Sequence, residues 1–164
     1  MLISNEWLKD YVNVDQSVQA LAERITRTGI EVDDIIDYTK DIKKLVVGHV
    51  LSKTPHPNAD KLNICQVDLG EEEPVQIVCG APNVDEGQHV IVAKVGGRLP
   101  GGIKIKRAKL RGERSEGMIC SLQEIGISSH VTPKNYESGI YVFPEAVKPG
   151  TDALEAIYLN DQVM

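Results

Sequence analysis

From Leu45 onward the apolar residues recur at the spacing of strands, and every run is short. LVVGHVLS, NICQVDLG, VQIVCG, HVIVAKVG, IKIKRAKLRG and GIYVFP are separated by HPNAD, GEEEP, APNVDEG, GGRLPGG and PKNYESG, segments rich in Gly, Pro, Asn and Asp. Five or six strands within about 100 residues point to a small closed or nearly closed barrel. The predicted class is mainly β with an α+β appendage, built on a five-stranded OB-type barrel; a β-sandwich is the alternative.

One run is out of phase with itself. In GGIKIKRAKLRG, Ile103 and Ile105 share one parity and Ala108 and Leu110 the other, so a single regular strand cannot bury all four. A one-residue bulge near Lys106 and Arg107 would restore the phase and put Lys104, Lys106, Lys109 and Arg111 on one solvent face.

The segment before Leu45 follows a different rule. Ser4 can cap a short helix through Trp7, Leu8 and Tyr11. Asp15 can cap a longer one carrying Val18, Leu21, Ala22 and Ile25 at helical spacing, which Gly29 would end. IEVDDIID then suits an irregular strand. Trp7, Leu8, Leu21 and Ile25 are expected to form an apolar surface that the segment cannot cover alone. At 164 residues and 41% hydrophobic composition, the chain can bury one ordinary core and a small appendage. Its apolar runs are too short to span a bilayer, and the amino terminus lacks a long apolar stretch, so the chain reads as soluble and cytoplasmic.

The net charge of −6 argues against a nucleic-acid partner only on average. Residues 1 to 39 carry three basic and eight acidic side chains, whereas residues 40 to 114 carry thirteen basic and nine acidic. From Lys94 to Arg114 there are eight basic residues (Lys94, Arg98, Lys104, Lys106, Arg107, Lys109, Arg111 and Arg114) against the single acid Glu113. That stretch is a local cation suited either to an anionic partner or to a solvated face.

No catalytic grouping accompanies it. The chain has no GxxxxGK[ST] loop, no HExxH, no GxSxG and no carboxylate pair in a setting for acid and base roles. GGRLPGG lacks the Lys-Ser/Thr tail of a phosphate loop and reads first as a hairpin turn, with backbone contact to phosphate as the alternative. Cys65, Cys79 and Cys120 form no CxxC pair and lie among apolar neighbours, as buried reduced thiols do. His49, His89 and His130 have no ligand spacing. His56 opens HPNADKL, which reads either as a rigid inter-strand loop or as an RNA-facing one in which Lys61 and His56 meet phosphate. Between Tyr38 and Tyr136 there is no Phe, Tyr or Trp, so a base-stacking platform is missing from the barrel. RNA binding here would rest on phosphates and shape, with weak sequence preference and steep salt dependence.

Four strings carry a resemblance: HPNADKLNICQVDLG at 56 to 70, QIVCGAPNV at 76 to 84, VAKVGGRLPGGIKIKRAKLRGERSEGMICSLQEIG at 92 to 126, and ESGIYVFPE at 137 to 145. They resemble the tRNA-binding domain shared by several synthetase-associated proteins. MLISNEWLKDYV and LAERITRTGIEVDDI are similar to the amino terminus of the β subunit of bacterial phenylalanine–tRNA ligase. The resemblance implies an OB barrel at 40–151 inserted into a small α/β domain, with its first half at 1–39 and a truncated start of its second half at 152–164. It also implies an α2β2 assembly in which the α subunit uses ATP and Mg2+ to aminoacylate tRNA with phenylalanine, leaving this fragment no catalytic residue, cofactor or metal of its own. Residues carried over as RNA-proximal are Lys61, Lys94, Lys104, Lys106, Lys109 and Arg111. Below them rank His56, Asn83, Arg98, Arg107, Arg114, Ser115 and Ser121, whose side chains either reach RNA or hold loops. Two other readings share the barrel: a structural spacer between subunits, and a stand-alone tRNA chaperone.

Overall fold

The structure, a computed structural model, describes residues 1–157 and 162–164. The chain divides into two compact units, Met1–Lys40 with Tyr158–Met164, and Asp41–Ile157.

In the first unit α1 spans Asn5–Lys9, with the Ser4 hydroxyl accepting from the Trp7 N–H at 3.0 Å, as the sequence predicts. The longer helix α2, Val18–Arg27, is capped by Ser17 rather than Asp15: the Ser17 hydroxyl reaches the Ala20 N–H at 3.2 Å, three residues on, where a cap must act. Gly29 ends it at φ +109°. Of the expected strand only β1, Ile36–Asp37, forms, paired with β10, Gln162–Val163. The expected apolar surface is only partly exposed. Trp7 is 64% exposed, but Leu8, Leu21 and Ile25 are half-buried around Val18, Ala22 and Met164.

The second unit is the OB-type barrel. Its strands are β2 (Lys43–His56), β3 (Ala59–Asp68), β4 (Val75–Cys79), β5 (His89–Leu99), β6 (Ile103–Lys104), β7 (Ala108–Leu110), β8 (Glu113–Ser115) and β9 (Gly117–Ile119). The main sheet runs β4-β3-β2-β5-β6 in antiparallel pairs, with β9 also on β5. The sheet curls until the chain between β8 and β9 meets the free edge of β4. Closure there is made by the Glu116 N–H donating to the Gln76 carbonyl at 2.8 Å and the Val78 N–H donating to the Ser115 hydroxyl at 3.1 Å.

Alternation explains the interior: Val50, Cys65, Val67, Ile77, Val90 and Val92 point inward and are fully buried. β5 departs from alternation, with Val90 to Ala93 all buried. The chain after β9 runs along the edge of β5, where the Cys120 N–H bonds the Ile91 carbonyl and the Phe143 N–H bonds the His89 carbonyl. Helix α3, Ala153–Ala156, similarly lies on β2. Among the described residues no helix is long and apolar enough to cross a membrane.

Candidate nucleic-acid interface

The basic run is not one bulged strand. Ile103–Lys104 pairs with β5, and Ile105 exchanges backbone bonds with Gly96 and Gly97; the chain then leaves the barrel sheet and starts a separate two-stranded hairpin, β7–β8. The predicted bulge is therefore a break, and the requirement that suggested it does not hold. Ile105 is 7% exposed, but Ile103 is 54% exposed and Ala108 and Leu110 are exposed as well. A hairpin lying on the surface of the barrel has no need to bury both parities.

Residues directly opposite on paired strands put their side chains on the same face. Arg98 stands opposite Lys104, and Lys109 opposite Arg114. Like charges in such positions destabilise a sheet. At the hairpin tip, Arg111 and Gly112 both have positive φ, +49° and +96°, the sign pattern of a type I′ turn. A glycine meets that demand freely; an arginine does so against its own sterics.

The turn joining β2 to β3, with His56 at the end of β2, holds this hairpin. His56 is 5% exposed. Its Nδ1 accepts from the Asn58 N–H at 3.0 Å, which leaves Nε2 protonated to donate to the Leu110 carbonyl at 2.9 Å. The Asn58 amide donates to the Arg111 carbonyl at 3.4 Å. At the base, the Gln76 amide donates to the Arg114 carbonyl at 2.9 Å, and the Ser115 hydroxyl donates to the Gly117 carbonyl at 3.0 Å. The hairpin is fastened at both ends.

The positions singled out in the sequence separate into three groups. Lys61, Arg98, Lys104, Lys106, Lys109, Arg111 and Arg114 are exposed, and none makes an ion pair within 4 Å among the described residues. Lys94 is half-buried and paired with Glu71, and Arg107 pairs with Glu116 at 3.4 Å. His56, Asn83, Ser115 and Ser121 use their polar atoms internally. The Asn83 amide bonds both the N–H and the carbonyl of Ile140, at 3.0 and 2.8 Å, and a Cβ at Gly139 would collide with its Oδ1. Ser115 is 3% exposed at the barrel seam, and the Ser121 hydroxyl accepts from the Glu124 N–H at 3.2 Å. Lys43, not singled out in the sequence, stands opposite Arg98 on β2. Only strand pairing reveals it, because 54 residues separate the two in the chain.

Aromatic side chains gather instead after β9, where Tyr136, Tyr141 and Phe143 form a chain of ring contacts at 4.9 and 5.1 Å. A groove of about 520 Å³ runs past Cys79, Pro82, Ser121 and Ile140. Burial pushes the thiols up, Cys65 to about 11 and Cys120 to about 12, with Cys79 raised for the same reason. All three are free and buried, and stay protonated and unreactive. Among the described residues no three His, Cys, Asp or Glu are grouped to hold a metal ion.

Residues 45–152 match the family model described as "Putative tRNA binding domain". Over its whole length the chain is 99% identical to the phenylalanine–tRNA ligase β subunit of Staphylococcus epidermidis and 82% identical to that of Staphylococcus aureus, and it spans 20% of the length of each. Among solved structures, a MetRS related protein from Pyrococcus horikoshii shares 23% identity at a TM-score of 0.47, covering 74% of this chain and 97% of that one. The C-terminal domain of Plasmodium vivax p43 gives the same identity and TM-score over 70% of this chain and 61% of its own.

Proposed function

The chain belongs to the tRNA-binding-domain family, and from that premise we propose that its barrel is a non-catalytic module of a phenylalanine–tRNA ligase β subunit, gripping tRNA by its phosphates and shape. In this reading residues 40–151 form the RNA-binding insert, and residues 1–39 and 152–164 belong to a split α/β domain; residues 158–161 lie outside the described set. ATP, Mg2+ and the joining of phenylalanine to tRNA belong to the α subunit of a cytoplasmic α2β2 enzyme.

The observation that carries the proposal is the set of exposed cations without a carboxylate partner among the described residues, Arg98, Lys104, Lys106, Lys109, Arg111 and Arg114 together with Lys61, on an otherwise acidic chain. A protein that neutralises phosphates releases condensed counterions, so affinity falls steeply with salt. With no Phe, Tyr or Trp between Tyr38 and Tyr136, strands β2 to β9 lack the large aromatic side chains on which bases usually stack.

The test is a salt titration of tRNA binding by the chain and by its Lys104→Ala/Lys106→Ala/Lys109→Ala/Arg111→Ala variant. Each lost phosphate contact should lower the slope of log affinity against log salt by about 1, so a drop of about 3 to 4 is expected. Undetectable binding at low salt, or a variant that binds as the parent does, overturns the proposal.

A further inference from the structure

We infer that Lys43, Arg98 and Lys104 form a transverse phosphate track, on which successive phosphates of one RNA strand lie across β2, β5 and β6; the inference rests on the tRNA-binding reading and extends it beyond the hairpin. Lys43 pairs in register with Arg98, and Arg98 with Lys104. Three cations thus stand side by side on one face of three adjacent strands, all exposed and none within 4 Å of a carboxylate among the described residues.

Such a row is unfavourable for the sheet alone, because like charges directly opposite repel. The pairing is set by an irregularity of both strands: from Leu45 to Lys43 β2 advances two residues, while from Ala93 to Arg98 β5 advances five. The β2–β5 register shifts between Lys43 and Leu45, and Lys44 between them takes φ +57°, which a non-glycine residue rarely adopts. Bulges of this kind re-aim a side chain. Neighbouring strands stand about 4.8 Å apart, somewhat less than the distance between consecutive phosphates along one RNA backbone, which exceeds the axial rise per nucleotide. Lysine and arginine stems flexible enough to fan by a few ångströms can therefore meet consecutive phosphates. A strand crossing at right angles to β5 would present one phosphate to each protein strand. The track belongs to the barrel sheet, whereas Lys109 and Arg114 stand on the separate β7–β8 hairpin.

Two measurements on the full chain test this. In salt-titrated tRNA binding, Lys43→Ala should weaken low-salt affinity several-fold and lower the slope by about 1, with Lys43→Gln matching it at an unchanged melting temperature. In the second, a short-range RNA-cleaving group is attached through cysteine at position 43, 98 or 104 in turn. Cuts should fall on neighbouring nucleotides of one tRNA strand, stepping in the order 43, 98, 104. If Lys109→Ala weakens binding while both position-43 variants bind like the parent, or if the three cut sites are scattered, the track is wrong and the wider proposal stands. If the parent chain does not bind tRNA at low salt, both fail together.

Discussion

Asn83 and Lys109 sit in equally recognisable strings, but the barrel uses them in opposite ways. Asn83 belongs to the seam side, where Gln76, Ser115 and Ser121 also lie; there the side chains close turns or satisfy backbone groups of other segments. Lys109 belongs to the lobe from Arg98 to Arg114, where cations stand opposite cations and most have no internal counter-charge. A side chain that has already met its electrostatic need inside the fold has little left to offer a ligand. One held in an unfavourable row can still gain from an anionic partner. Shared strings therefore mix two kinds of information, and geometry separates them.

The sharpest way to break this contrast is to damage the seam and measure binding. Asn83→Ala should leave the Ile140 N–H and carbonyl without partners and cost about 2 to 4 kcal/mol, read as a lower urea midpoint. The folded variant should keep the parent's salt slope for tRNA, and a slope altered as much as by Lys109→Ala would erase the distinction. A smaller effect is expected at the boundary between the two regions. His56→Ala removes no cation, but it frees the Leu110 carbonyl and the Asn58 N–H that fix the hairpin tip. Affinity for tRNA should fall a few-fold while the slope stays put; an unchanged affinity would mean that the tip needs no fastening.

The smallest expected effect concerns pH. His89 stacks on His49 at 4.4 Å, and its pKa is lowered, first by burial and then by the neighbouring imidazole. The folded state thus binds this proton less readily than the unfolded one. The stabilising contribution is complete above the ordinary histidine value of about 6.5 and is lost as pH falls from there through the lowered folded value. Melting temperature should dip slightly between about pH 7 and 5, and His89→Gln should flatten the dip. His89 lies at the start of β5 and outside the lobe, so this effect belongs to the fold.

Much of the barrel was legible because alternation and turn chemistry are local. The inward set Val50, Val67, Val90 and Val92 is a parity pattern, and HPNAD and GEEEP are turns on composition alone. The phase slip at Lys106 and Arg107 was visible too, but a bulge and a break leave the same mark on a sequence; only the pairing of β7 with β8 separates them. Asp15 and Ser17 are both good capping residues, and which one acts depends on where α2 begins. The lobe's charges could be counted, but their arrangement could not. Lys43 lies far from Arg98 in the chain, and His56 reads as polar until its two ring nitrogens are seen to serve Asn58 and Leu110.

The fastening of the β7–β8 hairpin at tip and base has a thermodynamic corollary. A two-stranded ribbon is marginal by itself, and a loose basic loop would have to surrender its conformational freedom on meeting RNA. Here that freedom is surrendered during folding, through His56, Asn58, Gln76 and Ser115. Association can then proceed as the docking of an ordered surface, steered by charge. Its heat-capacity change should be correspondingly small, because little apolar surface is newly covered.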